Sequence, residues 1–516
     1  MLDRTPVSAT YGCFDRSYWH YRIMDFPCGM SQEFVWPLAL VWSLDLPGNP
    51  YRGRPAMRDW IEAGIRFATR SAHRDGSCDD YYPFERATGA GAFSLLAMLE
   101  ASHIIGLGED DEINRFFDRR ATWLTARQES GALANHEALI VACLMRMAER
   151  GSNAWEPALA ARFDRLLSWQ SKEGWFSEYG GADLGYLSLT IGLLADIDRR
   201  RPHIRVREPL ARAIRFLSDF VHPDGTIGGE YTSRGTLNFF PHGFEIAGAW
   251  MPEALAVNER ALRPLRDGHA PCYSDDRIIG HHVWSWLLAW QYFRSERPVP
   301  VLRPPGRVWY DEARLLIDRR GSNALFVALG KGGALKLFQD DRLAHSDTGP
   351  TLLMKGGRVA VTHLEVDNKI IVHGDELVVE GQMAWAREAK LTPLKTIMLR
   401  TVMLIAGRFC PDLMRRLLQR LLVTGRTNAP FRFRRELLWN GVAWSIKDTI
   451  WAERGWADVA KAGVDGFQTS ITTVMARVFD LNQLQPWLDL TSRLQSLRYD
   501  EPLVIEQDMR HDGNSL

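Results

Sequence analysis

Five polar, glycine-containing segments recur along the first half of the chain, and an apolar helical run follows each of them. The glycines that mark these segments are 55, 43, 51 and 55 residues apart; they are Gly76, Gly131, Gly174, Gly225 and Gly280. A period of about 50 residues with one helix after each marker is typical of stacked helical hairpins. If each period is one hairpin, all five polar segments lie at the same end of the assembly, and we expect the functional residues there.

The composition is that of a globular protein, with 46% hydrophobic and 24% charged residues, and 516 residues suffice for two or three domains. Lysine and arginine together number 63, as do aspartate and glutamate, so no global charge attracts nucleic acid. The motifs of P-loop nucleotide hydrolases, α/β-hydrolases and zincins are missing. These observations disfavour those enzyme classes and predict no cofactor, no metal and no nucleic-acid partner.

The cellular compartment is predicted from cysteines and apolar runs. Six scattered cysteines without a CxxC pair favour free thiols in a reducing compartment. The segment 1–22 lacks the apolar stretch of a signal peptide. No run reaches the roughly 18 consecutive apolar residues of a membrane-spanning helix. We therefore expect a cytoplasmic protein.

The fold class predicted is α+β with more than one domain. Nearly all-apolar helical runs alternate with amphipathic ones along residues 1–300, which indicates inner and outer helices of an α/α toroid. After a proline-rich linker, strand-like runs separated by glycine and aspartate turns predict an antiparallel β-sandwich in residues 301–516. A helical, basic insertion interrupts the sandwich at about 391–435. Its arginines are Arg400, Arg408, Arg415, Arg416, Arg420 and Arg426.

The pair Asn135–His136 is the first candidate for chemistry, and an apolar helix follows it. An asparagine amide can hydrogen-bond a carboxylate, and a neighbouring histidine can exchange a proton near neutral pH. A plain alternative is an asparagine that caps the helix and a histidine that is satisfied within it.

The second candidate is the glycine-rich loop that contains Glu178, Tyr179, Asp183 and Tyr186. Glycines let the backbone approach a ligand, and the tyrosines offer phenolic protons. A tyrosine that acts as a base needs nearby positive charge to lower its pKa from about 10. The alternative is a loop whose tyrosines only pack.

The third candidate runs from Gly228 to Glu245. Arg234 could bind a substrate carboxylate with two hydrogen bonds, Tyr231 and His242 could transfer protons, and Glu230 could bind substrate. The alternative is an arginine–glutamate network that braces the rim.

Two further segments are candidates for substrate binding. Asp80 and Tyr82 lie in a segment rich in carboxylates and aromatics. His282 and Trp284 follow the fifth marker, and adjacent histidines point in different directions on a helix, which makes a metal site unfavourable.

An α/α toroid followed by a β-sandwich, with Asn135–His136 and a loop that ends at Tyr186, resembles the heparinase II/III-like polysaccharide lyases and their alginate-lyase relatives. In that family an asparagine neutralises a uronate carboxylate, and a tyrosine 50 to 60 residues later acts on the proton; here the gap is 51 residues. The family also uses a histidine from the sandwich, for which His345 in a predicted turn matches best and His363 is second. The chain departs from the family at Ala134, where a second asparagine is usual.

The resemblance implies cleavage of a glycan that contains uronic acid, by β-elimination, with an acidic polysaccharide or oligosaccharide as the partner. A glycoside hydrolase that uses two carboxylates is the first alternative. Its candidate acids are Asp80, Glu178, Asp183 and Glu230. A glycan-binding or assembly factor without catalysis is the second alternative. The insertion could contact an anionic membrane surface or pack over the sandwich as a hairpin, and a homo-oligomer is left open.

Overall fold

In the computed structural model, helices are the main elements of the chain between Arg16 and Gln291. The structure describes residues 1–127, 129, 131–151, 153–268, 272–273, 279–298, 304–364, 367–386, 392–410, 413–414, 427–465, 476–477 and 487–509. The helices of this first part are α1 Arg16–Trp19, α2 Val35–Ser43, α3 Pro55–Ser71, α4 Thr88–Ile105, α5 Asp111–Thr125, α6 Ala134–Glu149, α7 Glu156–Ser168, α8 Leu184–Arg200, α9 Arg207–Asp219, α10 His242–Ala247, α11 Pro252–Asp267 and α12 Ile279–Gln291.

The even-numbered helices contact one another in a cyclic order. Each of α2, α4, α6, α8 and α10 packs against the next even-numbered helix, and α12 packs against α2. These helices are apolar: α4, α6 and α8 bury nearly every residue. The odd-numbered helices α5 and α9 bury only one face and present charged residues to solvent, as amphipathic sequences do.

Three of the five marker glycines form the same turn. In each, the backbone N–H three residues before the glycine donates to the carbonyl of the residue after it. Gly76, Gly174 and Gly225 have φ of +85°, +106° and +91°. A Cβ at these positions would lie within 2.5 Å of backbone atoms of α5, α9 and α11. Glycine is therefore required where these turns pack against α5, α9 and α11.

The other two markers differ from the expected repeat. Gly131 also has a positive φ, but a Cβ there would meet nothing within 4 Å. Gly280 lies inside α12, so the expectation of a fifth polar loop at this glycine is wrong. The segment just before it, residues 274–278, lies outside the described part of the chain.

Strands dominate the chain from residue 306 onward and form two large antiparallel sheets. One sheet has five strands in the order β4 to β8, and the other has nine, in the order β17-β15-β9-β10-β12-β13-β14-β18 with β11 paired to β12. Their bounds are β4 Gly306–Tyr310, β5 Leu315–Arg320, β6 Asn323–Ala328, β7 Ala334–Gln339, β8 Arg342–Asp347, β9 Pro350–Met354, β10 Val359–Val361, β11 Lys369–His373, β12 Glu376–Ala386, β13 Asn428–Trp439, β14 Trp444–Ala452, β15 Val459–Asp465, β17 Trp487–Asp489 and β18 Leu503–Asp508.

Four short strands form two small pairs, and one short helix lies near the end of the chain. The pairs are β1 Ser177–Glu178 with β2 Gly181–Ala182, and β3 Cys272–Tyr273 with β16 Ala476–Arg477; the helix is α14 Thr491–Leu494. Residues 466–475, which precede β16, lie outside the described part of the chain.

The five-stranded sheet packs on both faces. Along β6, Phe326 joins the core of the helical part, whereas Leu325 and Val327 join the core shared with the nine-stranded sheet. This alternation follows from the period of two in a strand. Arg435, fully buried on β13, donates to Asp347 on β8 at 2.8 Å and to Asp448 on β14 at 2.8 Å, so it links the two sheets.

The insertion contains one described helix, α13 Pro393–Val402, and a π-helical turn over Met403–Gly407. The predicted arginines Arg415, Arg416, Arg420 and Arg426 lie outside the described residues. In the described part of the chain, α4 is the one helix that is long and apolar enough to cross a membrane, and 89% of it is buried inside the protein. We interpret α4 as a core helix.

Candidate functional site

Asn135 contacts the β1–β2 hairpin through its backbone and its side chain. Its backbone N and its Nδ2 each donate to Oε1 of Glu178 at 2.8 Å, and both residues are buried. The backbone N of Tyr179 donates to the Ala132 carbonyl at 3.1 Å, which joins the hairpin to the segment that precedes α6. The amide therefore binds a carboxyl group of the protein itself.

The two carboxyl oxygens of Glu178 differ in their hydrogen bonds, since Oε1 accepts both bonds from Asn135. Among the described residues Oε2 accepts no hydrogen bond, and it lies 3.9 Å from Nη1 of Arg234. Burial raises the pKa of Glu178 to about 7, although Arg234 and Asn135 act in the opposite direction. This carboxyl group therefore changes charge near neutral pH.

Arg234 lies between two phenol rings. Its Cζ is 4.5 Å from the ring centroid of Tyr186 and 4.8 Å from that of Tyr179. Burial raises the pKa of Tyr186 to about 12 even though Arg234 lowers it. The condition for a tyrosine base, a lowered pKa, is therefore not met, and Tyr186 carries its proton at neutral pH.

His136 stands at the partly open edge of this cluster. Its Nδ1 contacts Oε2 of Glu129 at 2.7 Å, and its side chain is 22% exposed. Burial lowers the pKa of His136, but Glu129 raises it by charge and hydrogen bonding, and the net shift is upward. Gly89 on α4 makes room for the ring, since a Cβ there would lie 2.6 Å from Cε1 of His136.

Asp183 holds the loop that carries Arg234. As the N-cap of α8, its Oδ1 accepts from the backbone N of Tyr186 at 3.0 Å. Its Oδ2 accepts from Oγ1 of Thr232 at 2.9 Å and from the backbone N of Arg234 at 3.2 Å. Thr236 donates to the same carboxylate. One carboxylate therefore fixes the start of α8 and the loop beside it.

The five-stranded sheet holds the same loop from the other side. Nζ of Lys331 donates to the carbonyl oxygens of Glu230 at 3.2 Å and Thr232 at 2.5 Å. The Glu230 carboxylate pairs with Nζ of Lys336 at 2.9 Å and accepts from Oγ of Ser346 at 3.3 Å. Glu230 therefore connects the loop to the sheet.

Tyr231 and His242, predicted to act on protons, lie in the core. Tyr231 is 1% exposed, and its hydroxyl contacts Nε2 of His222 at 2.8 Å. His242 is 2% exposed and contacts Oγ of Ser285 at 2.7 Å, and burial lowers its pKa to about 4. Both side chains are therefore buried and hydrogen-bonded within the core, and their roles in proton transfer stay predictions.

His282 and Trp284 are also buried. Trp284 stacks on Trp36 with the ring centroids 4.4 Å apart and donates from Nε1 to Glu33 at 2.6 Å. His282 stacks on Phe240 at 5.0 Å, and burial holds its pKa well below the usual value. At 1% exposure each, both side chains lie in the core.

His345 lies in β8 and not in a turn, which corrects the prediction of its setting. It pairs with Leu337, whose side chain lies in the core between the two sheets. Paired residues of neighbouring strands share a face, so His345 faces away from the helical part. His363, the second choice, is 3% exposed and lies in a turn, where its Nδ1 contacts the Thr348 carbonyl at 3.1 Å.

The segment around Asp80 has its own network. Asp80 is 6% exposed and accepts from Sγ of Cys28 at 2.9 Å. Its backbone N and that of Tyr81 donate to Glu85, and burial raises the pKa of Glu85 to about 8. Tyr82 is half-buried in the same segment.

The structure thus brings together Asn135, His136, Glu178, Tyr179, Tyr186 and Arg234 from three separate segments. We call these six residues the rim cluster. Sequence reasoning missed Glu129, Gly89 and Lys331, which hold His136 and the Arg234 loop. The run of small residues at 89–92, in an apolar helix that otherwise carries larger side chains, was the sequence signal for the space at Gly89.

No protein-family model and no curated protein matches the sequence. Solved structures do match. Xanthan lyase of Paenibacillus aligns with a TM-score of 0.50 at 10% identity, over 84% of this chain and 42% of that one. A mutant of the chondroitin AC lyase of Streptomyces coelicolor aligns with a TM-score of 0.50 at 9% identity, over 84% and 63%. The heparan sulfate lyase HepC of Pedobacter heparinus aligns with a TM-score of 0.37 at 8% identity, over 84% and 63%.

The chain spans less than two thirds of the length of each of these three proteins. At such identities the similarity concerns the fold alone. The alignments with xanthan lyase and chondroitin AC lyase bear out a distant resemblance to polysaccharide lyases: the chain shares the fold of those two enzymes.

Proposed function

We propose that this protein is a polysaccharide lyase that cleaves a uronic-acid-containing glycan by β-elimination at the rim cluster. The single observation that carries the proposal is the position of Arg234, a buried guanidinium held between Tyr179 and Tyr186 and 3.9 Å from Glu178. The cyclic helix contacts support an α/α toroid, and the core shared by the two sheets supports a β-sandwich.

In this proposal Arg234 binds the uronate carboxylate. A guanidinium binds a carboxylate with two parallel hydrogen bonds and stays charged at any working pH. Neutralising that carboxylate makes the C5 proton more acidic, because the negative charge that develops on the carboxylate in the transition state is stabilised. Asn135 acts here through Glu178, since its amide already binds that carboxyl group.

His136 is the proposed base and Tyr186 the proposed acid. With its Nδ1 proton directed to Glu129, neutral His136 presents Nε2 as an acceptor. Tyr186 keeps its proton at neutral pH, as an acid must. His136 takes the C5 proton, the released electron pair forms the C4–C5 double bond, the C4–O bond breaks, and Tyr186 protonates the departing oxygen.

A hydrolase is less well supported, because it requires two free carboxyl groups. Asp183 accepts hydrogen bonds from Tyr186, Thr232 and the Arg234 backbone, and Glu230 is paired with Lys336. Of the four candidate acids, Glu178 alone combines a raised pKa with a place in the rim cluster.

The test is a screen of uronate polymers for products that absorb in the ultraviolet, since elimination leaves an unsaturated uronyl end. On a substrate found in this way, Tyr186→Phe and Arg234→Ala should each lower kcat/KM by about 10² or more, as expected for lost acid catalysis and lost carboxylate binding. Tyr499→Phe, at a side chain 70% exposed on another part of the chain, is the matched control and should retain full activity.

Full activity in both rim-cluster variants would refute the assignment. Glycan binding that Tyr186→Phe leaves unchanged, without any turnover by the natural chain, would favour the binding factor instead. Thermal unfolding of each variant establishes that a loss of activity is not a loss of fold.

A further inference from the structure

The insertion helix α13 and the turn after it expose an unusual number of large apolar side chains. Seven side chains within residues 394–413 are each more than half exposed. They are Leu394 (72%), Ile397 (63%), Met398 (63%), Leu404 (56%), Ile405 (67%), Phe409 (78%) and Leu413 (66%). None of the residues of α13 is buried. A helix with no buried residue that carries apolar residues at helical spacing is typical of a surface that binds a partner.

The helix is nevertheless fixed to the protein. Thr392 caps its N-terminus by accepting from the backbone N of Lys395 at 3.3 Å, and Pro393 occupies its first turn. Arg400 pairs with Asp25 of the helical part. Met403, the first residue of the π-helical turn, is 1% exposed. The apolar side chains therefore stand on an attached segment.

Among the charged residues of the sequence from Thr392 to Leu413, only Asp412 is acidic. The sequence from Thr392 to Pro411 contains no aspartate or glutamate. Lys395 and Arg408 are exposed, and Arg400 is partly so. We call the seven apolar residues with Lys395 and Arg408 the apolar–basic surface.

We propose that the apolar–basic surface docks the protein onto a membrane that contains anionic lipids. Apolar side chains of such a surface enter the boundary between headgroups and acyl chains, and neighbouring cations bind acidic headgroups. The proposal is independent of the glycan chemistry of the rim cluster, because it is argued from a different part of the chain.

Two other occupants fit less well. A second copy that binds symmetrically would oppose Lys395 and Arg408 to their own equivalents, because a two-fold interface pairs a surface with itself. An acidic glycan would satisfy the two cations, but it offers nothing to seven side chains of which six are aliphatic. An anionic bilayer matches both the charge and the apolar character.

Vesicle flotation with the full chain tests this proposal. The protein should float with vesicles of phosphatidylcholine and phosphatidylglycerol, and less with phosphatidylcholine alone. Added salt should weaken the difference, because it screens exposed charges. The double variant Ile397→Glu with Ile405→Glu should lower the vesicle-bound fraction about tenfold or more, since two apolar insertions become acidic.

The matched control is Val7→Glu with Val442→Glu, at side chains 94% and 74% exposed, and it should float like the natural chain. Because Ile397 and Ile405 are also mostly exposed, neither double variant should change the thermal unfolding temperature. Absence of flotation by the natural chain would overturn the proposal, and so would equal flotation by the Ile397/Ile405 variant. A concentration-dependent dimer, lost in that variant and seen without lipid binding, would assign the surface to a second copy instead.

Discussion

At the scale of single residues, the account depends on a carboxyl group that is charged or neutral according to pH. Glu178 is 1% exposed, receives two hydrogen bonds from Asn135 and lies 3.9 Å from Arg234. With its pKa raised to about 7, it is neutral below that pH and charged above it. In the proposed mechanism, its negative charge competes with the substrate carboxylate for Arg234.

We therefore expect substrate to bind less tightly as the pH rises through about 7. Below that pH neutral Glu178 leaves the charge of Arg234 available, and above it the carboxylate repels the uronate. Glu178→Gln should remove this inflection from a plot of KM against pH. The same inflection in the variant would show that another group causes it.

Glu178 also affects the stability of the fold. Its contribution decreases as the pH rises, whereas that of an ordinary ion-paired carboxylate increases. Because its pKa is raised in the folded protein, Glu178 contributes stability below its unfolded pKa that is lost as the pH rises to about 7. Glu178→Gln should therefore gain stability over the natural chain at pH 8, by up to roughly 3 kcal/mol. Urea unfolding at pH 4 and pH 8 measures it, and a larger gain at pH 4 would contradict this.

His136 should control the acid limb of turnover. Glu129 raises the pKa of His136, so Glu129→Gln should lower that pKa and move the acid limb of kcat to lower pH. Glu312→Gln, at an exposed glutamate of the β4–β5 turn, is the matched control. An acid limb that stays in place would exclude His136 as the base.

At the scale of elements, the sheet positions a residue of the helical part. Lys331 follows β6 and donates to two carbonyl oxygens of the loop that carries Arg234. Lys331→Met keeps the length of the side chain and removes both hydrogen bonds. Since displacements near 1 Å can cost about 10² in rate, we expect kcat/KM to fall on the order of tenfold.

Lys369→Met is the control for this variant, because Lys369 is 69% exposed on β11 and pairs only across its own sheet with Glu380 among the described contacts. It should retain full activity. Equal losses in the two lysine variants would argue against a positioning role for Lys331.

The close packing of the repeated glycine turns predicts how a substitution there changes the free energy of unfolding. A Cβ at Gly225 would lie 2.4 Å from the Arg260 carbonyl, whereas at Gly357, also at positive φ, it would meet nothing within 4 Å. Gly225→Ala should therefore lower the free energy of unfolding by about 1–3 kcal/mol more than Gly357→Ala. Equal effects in urea unfolding would show that α11 does not pack against this turn.

The alternation of the helices could be predicted from the sequence. Apolar and amphipathic runs alternate in the sequence as inner and outer helices do in the structure, because burial determines both. The rim cluster was predicted in part: Asn135, Tyr186 and Arg234 do come together. Tyr231 and His242 share the same polar loops but turn inward, and sequence spacing does not tell which side chain of a glycine-rich loop faces the core.

At the scale of the whole molecule, two layers of contacts define the site. Six helices contact one another in a cycle, and the five-stranded sheet joins both the helical core and the second sheet. The loop with Arg234 lies where these parts meet, held by Asp183 on one side and Lys331 on the other. Long-range contacts of this kind leave no local pattern in a sequence.

The most direct test of the account is the mass of the product. Incubated with a uronate oligosaccharide that it cleaves, the protein should yield an unsaturated fragment lighter than the hydrolytic fragment by one water. Arg234→Ala should yield almost none of it. Two fragments whose masses together exceed the substrate by one water would show hydrolysis and would contradict elimination at the rim cluster.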